Sequence, residues 1–565
     1  MVKDEKIWDS YPRPQMKREL FLLLKELWTL NKRPIKVPFL PQSKLSEYDG
    51  EIGTNLLYET VFEVPVSFTK ERILLHFGAV DQLAEVWLNG VLVGNHEGGY
   101  INFTFDITET VKREGTNSLV IKVTDTLDKD YPYGKQCVKR GGMWYTPISG
   151  IWQNVWIENV PKQYIERVKI TPNLEGIRME VCTGCGESEE LTAEIVLHTG
   201  ERIHRNLKKD ENGMFDISLA DIQNGDGSMY EPQLWSTDAP YLYSMKLTIG
   251  EDTVETYFAL RTVDIREVNG INRVCLNGKP IFFHGVLDQG YFSDGIFLPE
   301  KEESYELDIL RMKELGFNML RKHIKIEPDI FYYYCDKHGM LVMQDMVNSG
   351  IYSFIRDTAL PTIGLKKKSD KSKGDSKREK IFIRHMEGTV NQLYNHPSIV
   401  AYTIFNEGWG QFNSDELYNR LKELDASRLI DATSGWFAQN NSDFDSEHIY
   451  FRIKKLKMKK RPMFVSECGG YSLAVQGHVF HPKKTYGYGK TKDRRDLTET
   501  IAKMYRKMIL PAIAEGACGC IYTQLSDVED EINGLYTYDR EVCKVEKNLM
   551  QKVSQELYEE IGKNT

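Results

Sequence analysis

Near Asp264 the rhythm of apolar runs along this 565-residue sequence changes. Before that point, short β-branched and aromatic segments follow one another with turn residues between them. After it, strand-length runs alternate with helix-patterned stretches. No single layered domain carries both patterns, so all-β units precede an α/β unit. Upstream, Leu57–Val64, Ile73–Phe77, Ala84–Leu88 and Leu119–Thr124 read as strands of a β-sandwich jelly roll. Asn89-Gly90, set between AEVWL and VLVG, predicts a type I′ hairpin turn. A second strand-rich stretch contains Arg167–Thr171, Thr192–Leu197, Tyr243–Ile249 and Thr253–Leu260. Its length suits an immunoglobulin-like β-sandwich, although no Cys–Trp–Cys pattern is present.

Downstream, eight apolar runs have strand length. They are Ile281–Leu287, Phe317–Leu320, Met340–Met343, Ile399–Phe405, Leu429–Thr433, His448–Tyr450, Met463–Val465 and Cys518–Thr523. Helical patterns such as Ser304–Leu315 and Asp415–Leu424 lie between several of them, which predicts a (β/α)₈ TIM barrel. The expected organisation is a jelly roll over 1–162, an immunoglobulin-like sandwich over 163–263 and the barrel over 264–565.

Charge and composition narrow the function. The net charge is −9, and an acidic surface repels phosphate backbones, so no nucleic-acid partner is expected. The opening MVKDEKIWDSYPRP has no apolar core of a signal, and no apolar stretch approaches 18 residues. Export and membrane spanning are therefore not expected. Nine scattered cysteines, an odd number, suit reduced thiols in a cytoplasmic protein. Cys182 and Cys185 have zinc-knuckle spacing without a second pair, and Lys484 stands where a phosphate loop needs its first glycine. His478 and His481 lack the glutamate of a metalloprotease helix. Neither a metal nor a cofactor is expected. The 30 Tyr and 9 Trp suit either sandwich cores or sugar-facing surfaces. Residues 366–380, KKKSDKSKGDSKREK, read as a loop after the third barrel strand, either a solvated insertion or an electropositive lid.

Residues at the C-terminal ends of barrel strands converge on one pocket. Two acids occupy such positions: Glu407 after IVAYTIFN and Glu467 after RPMFVS, each soon followed by glycine. Such a pair is what glycoside hydrolysis requires, one carboxyl protonated and one ionised. A separation of about 5–5.5 Å gives retention, and about 6.5–9.5 Å leaves room for water and gives inversion. Asn406 beside Glu407 can donate to a sugar hydroxyl. Each glutamate taken alone also reads as a strand-end ion-pair partner.

These segments resemble glycoside hydrolase family 2, which holds β-galactosidases, β-glucuronidases and β-mannosidases. VWLNGVLVGNHEGGYINFTFDIT and SGIWQNVWIENVP are similar to its sugar-binding jelly roll, and LWSTDAPYLY and FALRTVDI to its immunoglobulin-like domain. FNEGWGQ and SECGG resemble its acid/base and nucleophile motifs. The resemblance implies a retaining double displacement with Glu467 as nucleophile and Glu407 as acid/base. It further implies that Tyr450 hydrogen-bonds the nucleophile and that Arg321 orients it. Trp436 offers a stacking face, and Asp288 and Gln289 stand at the site's edge to read hydroxyls.

Two departures bear on the sugar. Family β-glucuronidases hold the substrate carboxylate with Asn-x-Lys before a Gly–aromatic–Thr segment. Here the stretch Glu531–Thr537 lacks that lysine, leaving Lys322, Lys325 or the basic loop as candidate cations. The usual His-Tyr-Pro after the second-strand arginine is replaced by Lys322-His323-Ile324-Lys325. The expected function is a retaining exo-β-glycosidase, β-galactosidase-like first, acting on an oligosaccharide or glycoside. The alternatives are β-glucuronidase or another uronidase, β-mannosidase, β-arabinosidase, and a non-catalytic carbohydrate-binding protein. A homo-oligomer is left open.

Overall fold

The computed structural model describes residues 8–362, 364–365, 370, 376–450, 452–456 and 458–563. The N-terminal unit packs a six-stranded antiparallel sheet against a four-stranded one. Along Asn55–Glu63 and Thr116–Thr124, buried and exposed residues alternate, the period-2 pattern of a half-buried strand. Trp28, Tyr58, Phe77, Val86 and Leu119 meet between the sheets. Burying one such aliphatic or aromatic side chain contributes about 1.5–3 kcal/mol. Asn89 (φ 52°) and Gly90 (φ 84°) both adopt the left-handed region that a type I′ turn demands, joining Leu83–Leu88 to Val91–Glu97. Tyr164–Phe258 forms the second sandwich, a three-stranded sheet facing a four-stranded one over Ile195, Phe215, Tyr243 and Leu247.

The remaining strands build the barrel. They are β1 (Phe283–Asp288), β2 (Met319–Lys322), β3 (Leu341–Asp345), β4 (Ile399–Asn406), β5 (Leu429–Ser434), β6 (Asp445–Ile449), β7 (Met463–Gly469) and β8 (Ala517–Thr523). All pair in parallel, in the order β5-β4-β3-β2-β1-β8-β7-β6, so the barrel is hydrogen-bonded except between β5 and β6. All but two of these residues are buried, the sequence signature of strands covered on both faces. An antiparallel three-stranded sheet (Val263–Val268, Ile271–Leu276, Lys279–Pro280) precedes β1, and its Val263 and Val274 pack with Phe283, Met319, Met343 and Phe464 from the barrel.

Helices follow most strands. Ser414–Leu424 is typical: Asp415 and Glu416 sit in its first turn, where the dipole favours them, and Leu417 and Leu421 form its buried stripe. The β5–β6 and β6–β7 connections contain no helix among the described residues, so the eight units are not uniform. Residues 366–369 and 371–375 of the basic segment lie outside the described residues. The loop expected there gives way at Ser376, where a helix runs to Leu393. Lys377, Glu379 and Lys380 are good helix formers, and Phe382, Met386, Val390 and Leu393 bury one face. All nine cysteines are free thiols. Among the described residues no helix is long and apolar enough to cross a membrane.

Candidate active site

Glu407 is the first residue after β4, and its φ of 53° is unusual for a side chain with a Cβ. Asn406 (4% exposed) and Glu407 thereby stand side by side at the barrel mouth. On β7 the pairing with β8 shifts register between Val465 and Cys468, a local irregularity around Ser466 and Glu467. Bulges of this kind re-aim side chains next to functional sites.

Glu467 is held from three sides. Arg321 Nη1 donates to its Oε1 at 3.1 Å, the Tyr450 hydroxyl donates to Oε2, and His448 Nε2 lies 3.5 Å from Oε1. Burial alone would raise this carboxyl, but the neighbouring His448 and Arg321 outweigh it and hold it down at about 2. Arg321 is itself fixed, with Nε on Asp345 Oδ1 at 2.9 Å and Nη2 on Asn406 Oδ1 at 3.0 Å. The amide nitrogen of Asn406 keeps no partner among the described residues.

His448 stands between the two glutamates, with Nδ1 2.8 Å from Glu407 Oε1. An oxygen of Glu407, a ring nitrogen of His448 and an oxygen of Glu467 all lie within 4.8 Å of one another. A Cβ at Gly435 would meet the imidazole carbon at 2.7 Å, so glycine there leaves room for the ring. Sequence reasoning singled out Tyr450 but passed over His448. The signal was available: positions two apart on a strand share a face.

Glu407, Trp436, His448, Tyr450, Tyr486 and Tyr488 line a cavity of about 940 Å³, within the usual range for small-molecule sites. Trp436 is anchored by its indole N–H on Asp357 O at 3.0 Å. The N-terminal sandwich also reaches this mouth. Its Met143 lines the cavity, and Trp144 packs edge-on against Trp409, two residues after Glu407.

Asp288 and Gln289 are not brought to that cavity lining. Asp288 is committed to Lys322 Nζ at 2.5 Å and the Gly290 N–H at 2.8 Å. Lys322 also binds Glu327, and Lys325 binds Glu327 and the carbonyls of Gly290 and Phe297. Both lysines are therefore consumed internally. Glu531 is buried and accepts from the Tyr145 hydroxyl at 2.5 Å and from Asn533 at 2.9 Å. Burial raises its carboxyl. His478, Asp539 and Glu541 form a second cluster of donor atoms within 4.8 Å, partly exposed and not lining the cavity.

The Arg321 side chain is fully buried between Asp345 and Glu467, so its removal takes away the guanidinium that two buried carboxylates share and leaves Asp345 with His323 and Glu467 with Tyr450 and His448. Arg321→Met should cost about 3–5 kcal/mol. A carboxyl depressed in the folded state adds stability that is complete above its unfolded value of about 4.3 and is lost as pH falls through the folded one. Glu467 therefore supports the fold down toward pH 2 in the native protein. Followed by circular dichroism, the acid-unfolding midpoint of Arg321→Met should move to higher pH; an unchanged midpoint would contradict this account.

Comparison with known proteins agrees with this architecture. The description "Glycosyl hydrolases family 2, TIM barrel domain" matches residues 267–468, "Glycosyl hydrolases family 2" matches 163–261, and "Glycosyl hydrolase 2 galactose-binding domain-like" matches 30–146. The chain is 27% identical over 346 residues to the "Putative beta-glucuronidase" of Formosa agariphila, covering 59% of this chain and 37% of that protein. It is 26% identical over 427 residues to a β-galactosidase of Leuconostoc mesenteroides, covering 69% and 38%. The chain thus spans little more than a third of the length of these two relatives. A solved β-D-glucuronidase of Dictyoglomus thermophilum superposes with a TM-score of 0.72 at 18% identity, covering 96% of this chain and 98% of that one, which is a likeness of fold. Three consecutive family matches, in the order of two sandwiches and a barrel, lead to one assignment: the chain belongs to glycoside hydrolase family 2.

Proposed function

We propose that this chain is a retaining exo-β-glycosidase. The observation that carries the reading is the approach of Glu407 and Glu467, with carboxylate oxygens within 4.8 Å at the ends of β4 and β7. That spacing suits direct attack and leaves too little room for an intervening water. In the first step a Glu467 oxygen attacks the anomeric carbon. The glycosidic C–O bond breaks, its electron pair goes to the departing oxygen, and Glu407 supplies the proton. In the second step Glu407 takes a proton from water as its oxygen attacks the anomeric carbon, and the bonding pair returns to Glu467. Arg321 and Tyr450 keep Glu467 ionised and oriented, while the free amide nitrogen of Asn406 is available to a sugar hydroxyl.

Within that chemistry a neutral sugar, β-galactoside first, is the favoured substrate. The stretch Glu531–Thr537 lacks the lysine with which family β-glucuronidases hold the substrate carboxylate, and Lys322 and Lys325 are tied to Glu327. A uronate carboxylate taken into the cavity without a cation to pair it costs binding energy. Release of nitrophenol from aryl β-galactoside, glucoside, mannoside, arabinoside and glucuronide tests both levels. Turnover of the galactoside at least about tenfold above the glucuronide in kcat/KM is expected, a difference of about 1.4 kcal/mol. A glucuronide preference would overturn the sugar assignment. Silence on every glycoside, with retained sugar binding, would favour a carbohydrate-binding protein instead.

A further inference from the structure

Asp431 lies inside the barrel on β5, 1% exposed, and the chemistry above does not use it. Its Oδ1 has no hydrogen-bond partner among the described residues, and its Oδ2 meets Ser446 Oγ. From Ser446 an unbroken row of polar groups crosses the barrel interior. Ser446 Oγ lies 3.0 Å from Ser466 Oγ, Ser466 Oγ 2.9 Å from Ser434 Oγ, and Ser434 Oγ 3.0 Å from His448 Nε2. His448 Nδ1 completes the row on Glu407 Oε1 at 2.8 Å. The three hydroxyls have no other side-chain partners among the described residues.

With His448 neutral and each hydroxyl donating once along the row, every member between the two carboxyls donates one hydrogen bond and accepts one, so the continuous row points in one of two directions. With Asp431 protonated, each group donates toward Glu407, and Nδ1–H donates to Oε1. The proton that Glu407 must deliver then sits on Oε2, which has no partner among the described residues and belongs to a side chain lining the cavity. With Asp431 ionised, Ser446 donates to Asp431 and the row reverses. Nδ1 becomes an acceptor and draws the Glu407 proton onto Oε1, away from the departing oxygen.

We propose that Asp431 is a positioning residue whose protonation sets the direction of this row and thereby places the acid proton of Glu407 on Oε2. The proposal rests on the glycosidase reading above. The proton balance is simple: Glu407 loses the Oε2 proton to the leaving oxygen and regains one there from water, while Asp431 keeps its own. Burial raises the Asp431 carboxyl to about 6, against the Ser446 hydrogen bond and the charge of Arg321. The groups facing Asp431 are Arg321, Asp345, His448 and Cys518. Those facing Glu407 are His448, Glu467, Tyr352, Tyr450, Tyr486 and Tyr488.

The test cuts the row at its midpoint. Ser466→Ala should lower kcat about tenfold with little change in KM, and Ser466→Thr, which keeps a hydroxyl, should restore it. The alkaline limb of the pH–rate profile should contain the Asp431 ionisation in the native enzyme and in Ser466→Thr, and lose it in Ser466→Ala and Asp431→Asn. Carboxyl-¹³C NMR of the labelled proteins reads the same coupling without turnover. The Glu407 signal should respond when Asp431 titrates in the native protein and not in Ser466→Ala. A Glu407 signal indifferent to Asp431 in the native protein, or an alkaline limb identical in all four proteins, would overturn the proposal. Failure of the native protein to hydrolyse any glycoside overturns the functional reading, and the NMR arm still decides the row.

Discussion

Replacing Glu467 by Gln should lower kcat by roughly 10⁴-fold or more, about 5.4 kcal/mol at 1.36 kcal/mol per decade. The amide has nearly the shape of the carboxyl, so packing in this buried position is kept. Its oxygen can still accept from Arg321, while Tyr450 can turn its hydroxyl to accept from the new NH₂. What is lost is the electron pair that must form the bond to the anomeric carbon, and no neighbour can replace it. Arg321 is already committed to Asp345 and Asn406, and Glu407 lies on the leaving-group side of the proposed reaction. Substrate binding, measured by calorimetry on the variant, should persist, because the amide keeps the shape of the carboxyl and its place among Arg321 and Tyr450. Near-normal turnover in Glu467→Gln would mean that another group forms the intermediate. A fluorinated aryl glycoside that stalls the second step should add one sugar mass to the native enzyme and none to the variant.

Much of this site could be read from the sequence because barrel topology turns strand ends into neighbours. Glu407 and Glu467 are 60 positions apart, yet each closes an apolar run, which made them candidates for one pocket, and the resemblance of FNEGWGQ and SECGG to family motifs gave them their roles. Arg321, Tyr450 and Trp436, just at or beyond β2, β6 and β5, were named through the family resemblance and not through strand position alone. Asp288 shows where strand-end reasoning stops. It ends β1 as expected, but Lys322 from the adjacent β2 captures its carboxylate, and a cross-strand partner of that kind cannot be seen in a single run of residues. Ser434, Ser446 and Ser466 were invisible for another reason. Small hydroxyl residues are unremarkable in strands, and only the barrel's closure aligns three of them from β5, β6 and β7. The β5–β6 gap was also unreadable, since pairing depends on partner geometry and not on either strand's own pattern.

For Glu407 the expected outcome depends on the leaving group. In Glu407→Ala, glycosides with alkyl or sugar leaving groups should lose about 10²–10⁴-fold in kcat/KM, the usual worth of general acid catalysis. An aryl glycoside whose phenolate leaves readily needs no proton, so its first step should be nearly unaffected. Its second step still needs a base to deprotonate water and should become rate-limiting. The variant should then release a rapid burst of phenolate followed by slow turnover, absent in the native enzyme. Added azide, an anionic nucleophile that requires no deprotonation, should accelerate the slow phase and yield a glycosyl azide of retained configuration. Small changes around Glu407 cannot imitate this pattern, because misplacement of the sugar would slow every substrate alike. Uniform loss across good and poor leaving groups, without burst or azide rescue, would remove Glu407 from the acid/base role while leaving the case for Glu467 intact. The cavity freed by the missing carboxylate lies beside His448, whose Nδ1 then faces solvent or the entering azide.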